Sequence, residues 1–264
     1  MIKSHKSKIF LFFIFMVIVQ TDLSSQVDNN KNLQQFIVKN GMSLLGQPYK
    51  AGTLESDGPE KLIYSTDAFD CVTFVEFVLA LSIYQTNNSQ GNFEAVLQQL
   101  RYRDGIINGY GSRLHYFTEW ILQNCEQKLC SNVTTSIGGK PYHKSINFIS
   151  TNKNKYPKLK DKAAFQDVLS SEKKLNKQTW SYIPKNLVSK VEPQIQDGDI
   201  IAITTDIAGL DIVHVGFAKW NNNMLCLLHA SEKENKIVLP TQSLSEYLIP
   251  NKNQSGIMVI RCHL

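Results

Sequence analysis

The sequence predicts an α+β fold, with N-terminal helices packed on a C-terminal antiparallel β-sheet. Two observations predict it. Through the first two thirds of the 264-residue chain, apolar residues recur three and four apart, the spacing of helical faces. From Ile200 onward they gather in β-branched runs separated by Asn, Gly and Asp turns. Helices first and strands later place the two kinds in separate layers rather than in alternating βα units.

Met1 to Lys8 carries Lys3, Lys6 and Lys8, and an unbroken apolar run follows from Ile9 to Val19. A polar stretch with small serines then runs to Gln26. This three-part form is that of a secretory signal peptide over residues 1–25. The apolar run is short for a membrane span, and no Cys follows it to carry a lipid. The expectation is an exported chain, periplasmic or secreted, with no stable membrane span after cleavage. Neither an internal repeat nor a low-complexity linker divides residues 26–264, so a single domain is expected there.

Leu33 to Leu45 reads as a helix with Phe36, Ile37 and Leu44 among its apolar positions, and Gly46 stops it. Pro48, Gly52 and Asp57-Gly58-Pro59 mark a loop. A buried helix is predicted from Cys71 to about Tyr84, a polar loop from Thr86 to Gly91, and a further helix from Phe93 to Tyr102. From Ser112 onward, Leu114, Phe117, Ile121 and Leu122 keep helical spacing around Arg113, His115, Tyr116, Glu119 and Trp120. That mixture suits an amphipathic surface helix or the wall of a cleft. Ser131 to Lys162 is basic and polar, a small hairpin or a surface excursion, and Ala163 to Leu175 is helical. Strands are predicted at Ile200–Thr204, Asp211–Trp220, Met224–Ala230, Lys236–Leu239 and Gly256–Cys262.

The formal net charge is +5. Lys3, Lys6, Lys8 and Asp22 supply +2 of it, leaving about +3 beyond the signal. That charge is too mild and too scattered for a nucleic-acid surface, although it is compatible with approach to an anionic polymer. The five cysteines are an odd number, which in an exported chain leaves at least one thiol free. Cys125 and Cys130 can bridge if the helix before them ends between them. No Cys-x-x-Cys pair or His cluster has structural zinc spacing, so neither metal nor cofactor is expected.

The stretch from Phe69 to Leu81 carries the first chemical signal. Val72, Val75, Val78 and Leu79 share a helical face, with Phe74, Phe77 and Leu81 beside it. Asp70 is a good N-cap, which puts Cys71 at the first helical position. Unpaired amides and the helix dipole stabilise a thiolate there, and a thiolate is the attacking species in covalent catalysis. The competing reading is a buried packing Cys, the common fate of a free one.

The second signal is a predicted hairpin, Asp211–Trp220 and Met224–Ala230, which carries His214 and His229. With Asn221 and Asn222 as the two-residue loop, Trp220 faces Asn223 and His214 faces His229, about 4.5–5.5 Å apart at Cβ. A one-residue shift without a bulge would put the rings on opposite faces. Singly, each His suits a satisfied core residue. Facing one another, one imidazole can orient the other, which is the third-member role in a nucleophile–base–orienter triad. Zinc held by Cys71, His214 and His229 is the rival use of the same atoms.

These pieces resemble the NlpC-like branch of papain-fold cell-wall hydrolases. The resemblance rests on Gly46-Gln47-Pro48-Tyr49 with Gly52, Asp70-Cys71, Gly198-Asp199-Ile200, His214-Val215-Gly216 and Leu228-His229-Ala230-Ser231. More narrowly, the chain resembles the N-acetylmuramoyl-L-alanine amidase-like family through Ala51 to Glu55, Asp70 to Glu76 and Arg113-Leu114-His115-Tyr116-Phe117. The resemblance implies a papain-like, NlpC-type fold and a Cys-His-His triad of Cys71, His214 and His229. It implies peptidoglycan or muropeptide fragments as partner and substrate, without nucleic acid. Peptide-cutting relatives read Asp-Cys-Ser-Gly at the nucleophile; this chain reads Asp-Cys-Val-Thr. That departure sets the chain apart from enzymes specific for the stem peptide's own bonds, and the resemblance to the narrower family implies the amide between N-acetylmuramic acid and L-alanine.

Tyr49, Asp70, Arg113 and Tyr116 are the candidate substrate-binding residues. Tyr49 would assist an oxyanion, Arg113 would pair with a stem-peptide carboxylate, Tyr116 would stack on a sugar, and Asp70 stands beside the nucleophile. The rival readings are a stem-peptide endopeptidase with the same triad, a thiol acyltransferase or amide hydrolase on a non-wall substrate, and an inactive wall-binding module.

Overall fold

The computed structural model describes residues 32–86 and 92–264. The signal-peptide expectation for 1–25, and all of the predicted Thr86–Gly91 loop except Thr86, which ends a helix, lie outside them. Among the described residues no helix is long and apolar enough to cross a membrane.

Helix α1 spans 32–43, α2 Cys71–Thr86, α3 Phe93–Arg101 and α4 Phe117–Glu126. Short strands β1 (Cys130–Asn132) and β2 (Lys140–Tyr142) follow, then α5 (Phe148–Thr151) and α6 (Lys162–Leu175). Strand β3 (Trp180–Pro184) and helix α7 (Val188–Val191) lead into β4 (Ile200–Thr205). The hairpin strands are β5 (Ile212–Asn221) and β6 (Met224–Ser231). Strand β7 (Lys236–Val238), helix α8 (Leu244–Leu248) and β8 (Gln254–Cys262) complete the order. The sheet runs β2-β3-β8-β4-β5-β6-β7, with β1 added on β8, and its strand pairs are antiparallel. The α+β class, with helices against an antiparallel sheet, is therefore the one predicted.

The sheet is covered on both faces. Ile200, Ala202, Val215, Phe217, Leu228 and Met258 pack with residues of α1 to α4 and α6. Ile201, Ile203, Ala218, Leu227, Ile257 and Val259 pack with α7 and α8. That is why β4 is buried at every position instead of alternating, a pattern seen where neither face meets water. Asp199, after the positive-φ Gly198, is buried and accepts two hydrogen bonds from Arg261, which ties the start of β4 to β8.

Three local predictions need correction. The helix expected over Ser112 to Ile121 begins only at Phe117. Arg113 and Tyr116 are extended, and Arg113 pairs with Tyr102 in an isolated bridge. The first turn of α4 has no local side-chain cap. Asp211 supplies it from just before β5, taking the Thr118 amide and hydroxyl, each at 2.8 Å. Of the two readings of the 131–162 segment, the hairpin falls, because β1 pairs with β8 and β2 with β3. Strand β3 was not predicted; it is only five residues long, ends in Pro184, and its burial does not alternate.

Candidate active site

Helix α2 sits between the sheet and its neighbouring helices. Phe74 meets Phe217 of β5 edge-on at 5.7 Å, and Asn40 of α1 donates to Ser82 at 3.0 Å. The charged Glu76 is accommodated inside by Arg101 of α3, 2.7 Å away. At the N-terminus Asp70 caps the helix: its Oδ1 accepts from the Thr73 amide at 2.8 Å, and its own amide donates to the Thr73 hydroxyl at 2.9 Å. This reciprocal pair satisfies two groups that a helix end leaves open. Cys71 is therefore the first residue of α2.

The amides of Val215, Val72 and Cys71 itself act on the sulfur and favour its thiolate. Burial, and then the Asp70 carboxylate, outweigh them and push the thiol up to about 12. A helix N-terminus alone predicted the opposite direction. The difference arises because removing a thiolate from water costs more than a few oriented amides return.

Val215 follows His214, so the amide that reaches Cys71 brings the second sequence signal to the first. His214 Nε2 and His229 Nδ1 are 2.6 Å apart, with the rings nearly perpendicular at 88° and their centroids 4.8 Å apart. Burial lowers His214 to about 4; burial and then His214 lower His229 to about 3. Burial thus disfavours the charged form of each of the three groups, the thiolate and both imidazolium ions.

The hairpin loop lies one residue later than predicted. Asn222 and Asn223 both have positive φ, at 48° and 65°, the signature of a type I′ turn. Asn221 faces Met224, and the ladder runs to Phe217 opposite Leu228. Sliding a two-residue loop by one moves the register by two, which preserves the face of every side chain. His214 and His229 therefore still meet, as diagonal rather than direct neighbours. A bulge in β5 beside His214, where β4 pairing skips Val213, adds a local twist.

Tyr49 joins this centre. Its backbone pairs with Phe69. Burial, followed by Cys71, Glu232 and Asp70, raises its phenol to about 12, so the hydroxyl remains a donor. Tyr247 of α8 was missed by the sequence reading. Its ring lies 5.3 Å from that of His229, and Cys71 contributes to the rise in its pKa after burial. It follows the sheet strands in no motif, so no spacing signal marked it.

With this geometry in view, residues 39–257 match the AmiA-like family, described as N-acetylmuramoyl-L-alanine amidase-like. The chain belongs to this family. A crystal structure of an N-acetylmuramoyl-L-alanine amidase from Bacteroides uniformis is 37% identical, with a TM-score of 0.83 over 88% of this chain and 99% of that one. A Bacteroides fragilis protein provisionally described as a xylanase is 40% identical, with a TM-score of 0.80 over 84% and 99%. A Legionella pneumophila protein at 23% identity and a TM-score of 0.64 shares the fold. The search of curated proteins gave no match.

Two residues expected to contact substrate, Arg113 and Tyr116, are buried and hydrogen-bonded within the fold of this amidase-like chain. Arg113 is 7% exposed. Its guanidinium donates to Glu60 at 2.7 Å, to Glu55 at 2.9 Å and to the Leu54 carbonyl at 3.2 Å. It pins the loop after Gly52, with four of its five N–H donors engaged inside the fold. Tyr116 is 1% exposed; its hydroxyl donates to Glu172 and accepts from the Ile149 amide, both at 2.8 Å. Its ring offers no open face to a sugar. A cleft of about 730 Å³ reaches His229, lined by it and Tyr247 together with Ser231, Lys233, Lys236 and Gln242. Among the described residues, no group of three His, Cys, Asp or Glu is arranged to hold a metal ion.

Proposed function

We propose that the chain is a cysteine-dependent N-acetylmuramoyl-L-alanine amidase, exported, with a papain-like NlpC-type catalytic domain over 26–264. The observation that carries this reading is the convergence of Cys71 with the Val215 amide and the 2.6 Å contact between His214 and His229. A thiol at a helix start beside two linked imidazoles on strands is the arrangement that nucleophile, base and orienter require.

In this mechanism His214 takes the Cys71 proton as the sulfur attacks the lactyl carbonyl. The Cys71 amide and the Tyr49 hydroxyl stabilise the developing oxyanion. His214 then gives its proton to the leaving L-alanine nitrogen and activates water to release the acyl group. His214 presents Nδ1 to the sulfur when its Nε2–H donates to His229 Nδ1. His229 thus fixes the tautomer, and Tyr247 holds the plane of its ring.

The xylanase description of one relative implies a pair of carboxyl groups astride a glycosidic bond; the centre here is a thiol and two imidazoles. The test is digestion of a defined muropeptide read by mass. Release of the sugar and an intact peptide with a free L-alanine amine supports the amidase. Fragments cut within the peptide support an endopeptidase, and an untouched substrate refutes both.

A further inference from the structure

Cys125 and Cys130 form a cluster with Cys262, and the mechanism uses none of them. Helix α4 ends at Glu126, and Lys128 takes a positive φ of 60° that turns the chain back. The Leu129 amide donates to Asn124 at 2.9 Å, which fixes the turn. Cys130 then enters β1 opposite Cys262 of β8. The result places the Cys125 and Cys130 sulfurs 3.2 Å apart, within about 1.2 Å of a covalent S–S bond.

We propose that Cys125 and Cys130 are a modification site, joined as a disulfide that staples the end of α4 to β1, while Cys262 remains a thiol. Three observations favour this pair over Cys130–Cys262. The 3.2 Å sulfur contact is between Cys125 and Cys130. Cys125 is half-buried and open to an oxidant, whereas Cys262 is 1% exposed. The Cys130 thiol hydrogen-bonds to Cys125 and lowers its pKa, while burial raises that of Cys262. Cys125 is thus the attacking thiolate.

The oxidant is a disulfide-bearing thiol oxidant. The Cys125 thiolate attacks one of its sulfurs, forming a mixed disulfide and expelling one thiolate. Cys130 loses its proton, attacks the Cys125 sulfur and expels the second thiolate. The protein loses two hydrogens and the oxidant becomes two thiols.

The test uses the full chain, reduced and then treated with oxidised glutathione. Free thiols are alkylated, and trypsin is applied without reduction. Trypsin cuts after Lys128, between the two cysteines, so the bridge appears as two linked peptides. The expected result is that linked pair, a mass loss of about 2 Da at the pair, and a melting temperature higher by on the order of 5 °C. The gain should vanish in Cys125→Ser and persist in Cys262→Ser. A Cys130–Cys262 link, or both Cys125 and Cys130 alkylated after oxidation, would overturn the proposal. The peptide map is read on the unmutated chain, so it stands even where a variant fails to fold.

Discussion

Gly216 and His229 face each other so closely that a side chain on the glycine would displace the histidine. A Cβ built on Gly216 would stand 2.9 Å from the His229 Cβ and 2.7 Å from the Leu228 carbonyl oxygen. Both are rigid neighbours close to the backbone, so one of the strands must move. Gly216→Ala is expected to cost about 1–3 kcal/mol of stability. It should lower turnover by roughly 100-fold, the penalty for an ångström of misplacement at a catalytic group. Melting curves and muropeptide kinetics on the same preparation check this. Full turnover in the variant would mean that the His229 position is not needed.

Asp70 has two separable effects on Cys71. It caps α2 through Thr73, and its charge is second to burial in raising the thiol. Asn keeps an acceptor for the Thr73 amide and removes the charge. Asp70→Asn is therefore expected to speed iodoacetamide labelling of Cys71 near pH 8 with little loss of stability. Asp70→Ala should lose about 1 kcal/mol through the missing cap. In the unmutated chain, labelling should keep rising well above pH 9, since the thiol sits near 12. A labelling plateau below pH 7 would show that the resting state is an ion pair.

The histidines predict an acid response. Burial holds His214 near 4 and His229 near 3, against about 6.5 in an unfolded chain. Between those values the unfolded chain binds protons that the folded one refuses. Their contribution to stability is therefore complete above about pH 6.5 and is lost as pH falls towards 4. The slope is at most about 1.4 kcal/mol per pH unit for each histidine. Thermal melts at pH 7.5 and 5 should show a smaller drop in His214→Gln than in the unmutated chain. An equal drop in both would mean that His214 already carries its proton in the fold.

Much of the fold was legible because periodicity survives in a single sequence. The apolar spacing of α2, α3 and α6 and the β-branched runs of β4 to β8 marked those elements to within a few residues. Elements set by distant partners were not legible. The start of α4 depends on Asp211, 93 residues from Thr118, and no local pattern encodes that. The meeting of His214 and His229 was readable despite a misplaced loop, because the error shifted the register by two and left the face intact. The buried roles of Arg113 and Tyr116 were not readable, since their partners, Glu60 and Glu172, lie 53 and 56 residues away. The direction of the Cys71 shift was missed for a related reason: helix position is local information, whereas burial belongs to the folded state.

The central claim is that the Cys71 sulfur performs the attack. It is tested most directly by comparing the unmutated chain with Cys71→Ser on one defined muropeptide, with products weighed by mass spectrometry and folding checked by melting. The account predicts that the unmutated chain separates N-acetylmuramic acid from L-alanine, and that the folded variant leaves the substrate whole. Cleavage of that bond by Cys71→Ser at an undiminished rate would contradict it.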